Sequence, residues 1–242
     1  MTVEAASVVE APSGQKSGAK PIILLERVKK TFARGSDQLE VLRNIDLSVD
    51  EGSFEALMGP SGSGKSTLLN LIAGLDQPSS GSLRVAGADV GAMGEGERAA
   101  FRAQNIGFVF QTYNLMPVLT ALENVQLPLL LTKLPSAERK KRAEIALRVV
   151  GLEQRTHHLP RQLSGGQEQR VAIARAIVTD PKIIVADEPT GDLDREAAND
   201  ILNLLEKLHK EFNKTIVMVT HDPQAAERAQ IVRRLDKGSL VV

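Results

Sequence analysis

The sequence predicts an α/β fold in which helices pack on a mostly parallel β-sheet. Short apolar stretches rich in β-branched residues predict strands on both sides of a central region, residues 120–163, whose pattern is helical. On each side of this region strands alternate with amphipathic helices, which is the order that builds parallel sheets. A glycine-rich segment, residues 59–67, connects one such strand directly to the helix that follows it.

Three strands are predicted before the glycine-rich segment. Residues 22–28 and 41–49 are aliphatic and β-branched, and the polar stretch 33–38 separates them. Residues 53–58 form the third. Residues 1–20 combine small residues with two glutamates ahead of any lysine, unlike a secretory signal, and we expect a disordered N-terminal tail there.

The central region predicts a helix over residues 136–150. Ser136 is its expected N-cap, and Ile145 and Val149 fall on one face. The basic run at residues 139–142 has two interpretations, a patch for an anionic partner or a solvated helix face, and we favour the second.

Alternation of strands and helices returns in the last third of the chain. Residues 183–186 form a continuous aliphatic run that predicts a buried strand, and residues 215–219 predict another. Between them a helix is predicted with a single core-facing stripe. The stripe consists of Ile201, Leu204, Leu205, Leu208 and Phe212.

Composition excludes several function classes. Lysine plus arginine equals aspartate plus glutamate at 30 each, so the balance gives no support for nucleic acid as a partner. The chain has no cysteine, which excludes disulfides, thiolate metal sites and cysteine nucleophiles. No apolar run approaches the roughly 20 residues that span a bilayer. If the protein acts at a membrane, another chain must hold it there.

The glycine-rich segment matches the P-loop pattern in the required context, after a strand and before a helix that is expected to end near Gly74. Glycines let successive N–H groups point at phosphate oxygens, and the helix N-terminus adds positive potential. Lys65 can reach the β- and γ-phosphates, the Ser66 hydroxyl can ligate magnesium, and Thr67 can supply a further phosphate contact. The full segment is Gly59, Pro60, Ser61, Gly62, Ser63, Gly64, Lys65, Ser66 and Thr67.

Two acids end the aliphatic strand at residues 183–186. Asp187 is placed to hold magnesium, and Glu188 is placed to accept a proton from an attacking water. The same pair is compatible with a buried strand that ends in two solvated carboxylates.

Residues 163–167 read Leu-Ser-Gly-Gly-Gln and open another helix. The Ser164 hydroxyl, bare glycine amides and a helix N-terminus form a second anion site, distinct from the P-loop. With this segment the sequence resembles the ATP-binding cassette (ABC) family, whose signature motif these five residues reproduce. Further motifs of the family follow in the expected order.

The resemblance implies roles for residues outside the two anion sites. Gln111 matches the Q-loop glutamine that contacts magnesium and the attacking water, and His221 matches the switch histidine that contacts the γ-phosphate. Residues 191–194 match the D-loop, in which Asp194 contacts nucleotide. Phe32 lies near the position of an adenine-stacking aromatic, and a place in the core is its alternative.

The resemblance covers about residues 21–242, as one nucleotide-binding domain. It implies a RecA-like P-loop NTPase core with a parallel sheet, an N-terminal antiparallel β subdomain, and an α-helical subdomain inserted at about 112–168. Glu168 and Asp192 stand where relatives often carry glutamine and asparagine. Neither departure removes a group needed for phosphate chemistry.

The family's chemistry implies ATP and Mg²⁺ as cofactors and hydrolysis by in-line attack of water on the γ-phosphate. The implied magnesium ligands are Ser66, Gln111 and Asp187. The implied catalytic residues are Lys65, Gln111, Glu188 and His221. The signature of one subunit covers the ATP held by the P-loop of the other, which implies an ATP-dependent homodimer. The signature residues that would contact nucleotide are Ser164, Gly165, Gly166 and Gln167.

Residues 107–111, 119–125 and 186–191 resemble the macrolide-export and lipoprotein-release branch of the family (MacB-like and LolD-like). This implies a separate membrane permease at the cytoplasmic face of the inner or plasma membrane, and leaves a periplasmic adaptor open. An FtsE-like regulatory ATPase that signals without solute transport is the alternative. A soluble translation or repair protein is disfavoured, because those types carry two cassettes or a long coiled-coil insert.

The resemblance places the permease contact at residues 113–125. An apolar cluster lies there: Tyr113, Leu115, Met116, Val118 and Leu119. If the cluster is exposed, it is expected to be a partner surface, and if it is buried, it is expected to be part of the subdomain core. The sequence leaves both open.

Overall fold

The computed structural model describes residues 21–35 and 37–241, so the expected tail at residues 1–20 lies outside the described residues. The strands are β1 (Pro21–Arg34), β2 (Asp37–Asp50), β3 (Phe54–Met58), β4 (Ser80–Val85), β5 (Ala88–Asp89), β6 (Ile106–Val109), β7 (Ile183–Asp187), β8 (Thr215–Val219), β9 (Ile231–Asp236) and β10 (Ser239–Val241). The helices are α1 (Lys65–Ile72), α2 (Glu95–Asn105), α3 (Ala121–Gln126), α4 (Ser136–Val149), α5 (Gly165–Ile177), α6 (Arg195–Phe212) and α7 (Pro223–Ala226). Short 3-10 helices cover Val90–Ala92, Leu127–Leu131 and Pro160–Gln162.

The strands form two sheets. A four-stranded antiparallel sheet has the order β2-β1-β4-β5, and a six-stranded sheet has the order β10-β9-β3-β8-β7-β6. In the larger sheet every pairing is parallel except that of β9 with β10. The predicted fold class, a parallel core sheet with an N-terminal antiparallel sheet, is confirmed.

Both faces of the parallel sheet are buried, which explains its continuous aliphatic strands. In β7, Ile183 and Val185 pack into a core shared with the antiparallel sheet and α1. Their neighbours Ile184 and Ala186 pack into a second core with α3, α4, α5 and α6. Residues 110–164, all described by the structure, contain helices and no strand, as the sequence pattern predicts. Among the described residues, no helix is long and apolar enough to cross a bilayer.

Several predicted boundaries and faces are wrong. The strands flanking the first turn reach residues 34 and 37, because antiparallel pairing continues through the polar stretch. Ser136 is the first residue of α4, and Pro135 is its N-cap. The carbonyl of Pro135 accepts the first helical hydrogen bond from Arg139 N–H at 3.0 Å, so the backbone sets this boundary without a side-chain cap.

The predicted apolar stripes of α4 and α6 are only partly buried. Ala143, Ala146 and Leu147 form the buried face of α4, whereas Ile145 is exposed. The stripe of α6 is buried as far as Leu208, whereas Phe212 in the last turn is exposed.

The basic run on α4 forms exposed ion pairs within the helix. Arg142 lies 3.1 Å from Glu138, and Lys140 lies 3.9 Å from Glu144, both at the i,i+4 spacing. These contacts support the interpretation as a solvated helix face.

One ion pair connects three strands. Glu55 on β3 is only 2% exposed, and its Oε2 accepts a hydrogen bond from Arg233 Nε on β9 at 2.6 Å. Arg233 Nη2 also donates to the carbonyl of Ser48 on β2, at 2.9 Å. Removing the guanidinium would therefore leave a buried carboxylate without its cation.

We expect Arg233→Met to lower the free energy of unfolding by about 3 kcal/mol, because an unpaired buried charge is costly. Arg43→Met is the matched control, since Arg43 and Glu40 form an exposed pair at 3.3 Å and should contribute at most about 0.5 kcal/mol. Urea unfolding followed by circular dichroism measures both. Equal losses of unfolding free energy in the two variants would contradict a stabilising role for the ion pair of Arg233 with the buried Glu55.

Candidate active site at the carboxyl edge of the parallel sheet

Four adjacent parallel strands deliver the predicted site residues to one edge of the sheet. The order is β3-β8-β7-β6, and the carboxyl ends of these strands lead into the P-loop, His221, Asp187–Glu188 and Gln111. They surround a cleft of about 800 Å³. Its lining residues are Leu39, Val41, Gly59, Pro60, Ser61, Gly62, Gly64, Lys65, Ser66, Thr67, Gln111, Asp187, Glu188 and His221.

The P-loop requires glycine at two positions for steric reasons. Gly64 is the N-cap of α1 with a left-handed φ of 102°, and a Cβ there would lie 2.8 Å from Leu42 Cδ2 and 3.0 Å from the carbonyl of Val41. At Gly59 a Cβ would collide with the carbonyl of Leu235. These contacts fix the turn that aims the first N–H groups of α1 into the cleft.

Lys65 and Ser63 are buried polar side chains of the P-loop, and Lys65 lines the cleft. Lys65 Nζ donates to the carbonyls of Gly59, at 2.8 Å, and Pro60, at 3.0 Å, so the ammonium lies over its own loop. Ser63 is buried, and its hydroxyl has no hydrogen-bond partner among the described residues. Lys65 lines the cleft, so a phosphate oxygen bound there could replace the two loop carbonyls as its acceptor.

The predicted magnesium ligands contribute oxygen atoms, which Mg²⁺ prefers. Ser66 Oγ donates to Asp187 Oδ1 at 3.2 Å, and both groups line the cleft with Gln111. Burial raises the pKa of Asp187, and the nearby Glu188 carboxylate raises it further. No group of three or more His, Cys, Asp or Glu able to hold a metal occurs among the described residues.

Glu188 and His221 form a short contact across the strand ends. Nδ1 of His221 lies 2.6 Å from Glu188 Oε2, and Nδ1 carries the proton because a carboxylate can only accept. Glu188 has a left-handed φ of 48°, its N–H donates to the carbonyl of Val219 at 2.9 Å, and its carbonyl accepts from Gly191 N–H at 3.0 Å. The candidate general base is therefore fixed through both its backbone and its side chain.

The signature segment lies away from this cleft. Ser164 is the N-cap of α5: its hydroxyl accepts from Gln167 N–H at 3.3 Å, and Gln167 Oε1 accepts from Ser164 N–H at 3.1 Å. The described residues that line the cleft do not include 164–167. The two predicted anion sites, the P-loop and the signature segment, therefore lie apart on this chain.

Comparisons with known proteins identify the family of the chain. A family model described as ABC transporter matches residues 42–191. The chain belongs to the ABC transporter family.

Relatives and solved structures extend the match beyond that range. An uncharacterized ABC transporter ATP-binding protein of Thermotoga maritima is 48% identical over 91% of this chain and 94% of its own length. MacB 1/2 of Paracoccus denitrificans, a macrolide export ATP-binding/permease protein, is also 48% identical over 91% of this chain, which spans about a third (33%) of that relative. The dimeric ATP-binding cassette MJ0796, bound to ADP and Pi after hydrolysis, superposes with a TM-score of 0.84 at 44% identity, covering 91% of this chain and 97% of MJ0796. The chain is an ATP-hydrolysing ABC cassette.

Two predicted nucleotide contacts remain predictions in this ABC cassette. Asp194 is the N-cap of α6, and its Oδ1 accepts from Ala197 N–H at 2.8 Å. Phe32 is 41% exposed, which contradicts the alternative of a core role, and Lys30 Nζ lies 4.7 Å from its ring centroid. Phe32 pairs with Leu39 of the cleft, so β1 places the ring at the rim.

Sequence reasoning missed two groups that adjoin the site. Leu39 and Val41 line the cleft from β2, and no local motif marks them. Asp192 Oδ1 accepts a hydrogen bond from Gln111 Nε2 at 3.1 Å. The sequence placed Asp192 in the D-loop match and noted it as a departure from asparagine, but its contact with Gln111 depends on two loops far apart in the chain.

We expect Glu188→Gln to lower the ATP hydrolysis rate by about 10²- to 10⁴-fold, as loss of a positioned general base does. ATP affinity should persist, because the P-loop contacts are untouched. Steady-state hydrolysis and equilibrium ATP binding measure the two effects. Glu153→Gln makes the same change at an exposed turn and should leave both values at wild type. Hydrolysis by Glu188→Gln within twofold of wild type would rule out the general-base role.

Proposed function

We propose that this chain is the ATP-hydrolysing subunit that drives a separate membrane permease of the exporter or lipoprotein-release type, working as an ATP-dependent homodimer. The observation that carries the proposal is the separation of the two anion sites. The cleft holds the P-loop, Gln111, Asp187, Glu188 and His221, while the signature lies elsewhere on the same chain. A second copy supplies the missing half of each site.

The proposed domain spans residues 21–242, with a helical subdomain at about 112–168. ATP with Mg²⁺ is the proposed ligand of the P-loop. Ser66, Gln111 and Asp187 would ligate Mg²⁺, which neutralises charge on the phosphates when bound. Lys65 would transfer its hydrogen bonds from the carbonyls of its own loop to phosphate oxygens.

Hydrolysis in this proposal is largely a matter of position and electrostatics. Glu188 accepts a proton from the water that attacks the γ-phosphate, and Gln111 orients that water. His221 donates from Nδ1 to the Glu188 carboxylate, which holds the base in place. Lys65 offsets the negative charge that develops on the phosphoryl oxygens.

The second copy contributes the start of α5. Its capping box leaves helix N–H groups and the Ser164 hydroxyl at an exposed N-terminus, which favours an anion. The dimeric state of the related cassette MJ0796 supports this arrangement. Asp194, at the start of α6, would contact nucleotide across the same interface.

The proposed permease surface follows the Q-loop. Asn124 is fully buried, accepts from Met116 N–H at 2.8 Å and donates to the carbonyl of Leu119 at 3.0 Å, which fixes the loop before α3. Leu115 packs against the core, whereas Met116 is 49% and Val118 77% exposed. The predicted apolar cluster is therefore divided, and its exposed half supports a partner surface.

The exposed half continues into neighbouring apolar surface. Leu130 and Leu131 are exposed on the 3-10 helix Leu127–Leu131. An adjoining groove between β6 and α5 is lined by Phe108, Phe110 and Pro128. A permease seated here would place the cassette at the cytoplasmic face of the inner or plasma membrane, and a periplasmic adaptor would complete an exporter. The proposal includes no nucleic-acid partner.

We expect Glu188→Gln with ATP and Mg²⁺ to form a dimer of about 52 kDa, twice the 26.1 kDa chain mass, because slow hydrolysis traps the closed state. Adding Ser164→Asp should abolish the dimer, since aspartate caps α5 equally well but repels phosphate. Ser136→Asp, the same change at the start of α4, is the control. Light scattering reports the mass, and a dimer that survives Ser164→Asp would contradict the assignment of the signature.

With its permease reconstituted in lipid, the wild-type ATPase should be stimulated, and Val118→Glu should remove most of that stimulation without changing the basal rate. The physical reason is that a charge within an apolar contact must be desolvated. Ile145→Glu introduces the same charge at an exposed position on α4 and should keep the stimulation. Stimulation of both variants would exclude the Val118 surface, and a permease without effect on the wild type would favour a soluble ABC ATPase.

A further inference from the structure

A buried glutamine on α5 contacts the two loops that carry the hydrolytic groups. Gln169 is 0% exposed and lies five residues after the signature serine. Its Nε2 donates to the carbonyl of Pro189 at 2.7 Å and to the carbonyl of Phe110 at 3.2 Å. Pro189 directly follows Glu188, and Phe110 directly precedes Gln111.

These two hydrogen bonds hold backbone segments that are also constrained by their other neighbours. Glu188 has the left-handed φ of 48°, a conformation that persists in a bulky residue only when its surroundings enforce it. The two loops also approach each other closely, since a Cβ at Gly191 would lie 3.1 Å from Gln111 Nε2. A displacement of either loop would therefore move the other.

The chemistry of the Gln169 side chain shows why an amide is needed. Both partners are carbonyls, so the amide nitrogen must face them and uses both of its hydrogens. The amide oxygen has no hydrogen-bond partner among the described residues, and burial of such an oxygen is unfavourable. A methionine would fill a similar volume without that oxygen, but it could not donate to either carbonyl.

We propose that Gln169 is a positioning residue for ATP hydrolysis, which holds Gln111 and Glu188 at their working separation through the carbonyls of Phe110 and Pro189. This inference rests on the hydrolytic roles of Gln111 and Glu188 proposed above. Gln169 makes no hydrogen bond to the P-loop, whose residues the structure describes in full, so its loss should leave the P-loop contacts with ATP in place.

Gln169→Met tests the proposal. We expect kcat to fall about 10- to 100-fold, as small misplacements of catalytic groups do. The KM and Kd for ATP should stay within twofold of wild type, with rates normalised to bound nucleotide so that unfolded protein does not count. Gln154→Met is the matched control, because Gln154 is exposed in the turn before α5.

A second readout separates positioning from general stability. Hydrogen exchange should become faster at the amides of residues 110–114, 188 and 190–192, while α1 exchanges as in wild type. In the Glu188→Gln background, Gln169→Met should lower the residual rate by at most about threefold, because residues acting as one unit are not additive.

Three results would overturn the proposal. The first is a normalised kcat of Gln169→Met within twofold of wild type, and the second is a change in KM with kcat unaltered. The third is a fall in kcat in the Glu188→Gln background as large as the fall in the wild-type background. Should Gln169→Met not fold, Gln169→Glu gives the same test. Its carboxyl group keeps the shape and carries at most one proton, so it can serve only one carbonyl, and kcat should still fall at least about tenfold with KM unchanged. If the wild-type chain did not hydrolyse ATP, that result would count against the proposed function and not against the role of Gln169.

Discussion

The candidate site depends on the parallel register of β3, β8, β7 and β6. In that register Leu57 pairs with Val219, Val219 with Asp187, and Ala186 with Val109, so the four strands end at nearly the same level. A slip of one residue would turn each strand's side chains to the opposite face and separate the loops. Burial on both faces of the sheet opposes such a slip, because each strand contributes residues to both cores.

The backbone at Glu188 shows how the surrounding structure maintains a costly conformation. A left-handed φ in such a residue costs about 1–3 kcal/mol, and four contacts offset it. The contacts are the Val219 carbonyl, Gly191 N–H, His221 Nδ1 and, through Pro189, the amide of Gln169. Three of them come from elements distant in sequence, so Glu188 takes this position only when the domain is folded.

Helix α5 fastens the segment after β6 at two places. Gln169 holds the Phe110 carbonyl, and Arg175 donates to the carbonyls of Asn114, at 2.5 Å, and Tyr113, at 2.7 Å. Tyr113 and Asn114 both have left-handed φ, and burial lowers the pKa of Arg175 without removing its charge at neutral pH. Because Arg175 also lines the groove of the proposed permease surface, α5 connects that groove to the loops that follow β6 and β7.

The sequence by itself determined the elements and motifs whose causes are local. The aliphatic run of β7, the helical spacing of α6 as far as Leu208, and the glycines around Lys65 depend only on near neighbours in the chain. The signature also belongs here, because its capping box closes within three residues. Phosphate chemistry was therefore readable without coordinates.

Only the tertiary structure decided which surfaces are covered. Ile145 and Phe212 match a helical stripe yet remain exposed, because burial depends on the element packed opposite and not on the stripe. The exposure of Val118 and the contacts of Gln169 likewise join residues far apart in sequence. Local patterns carry no information on such distances, since the pairing of elements that sets them is settled only when the chain packs as a whole.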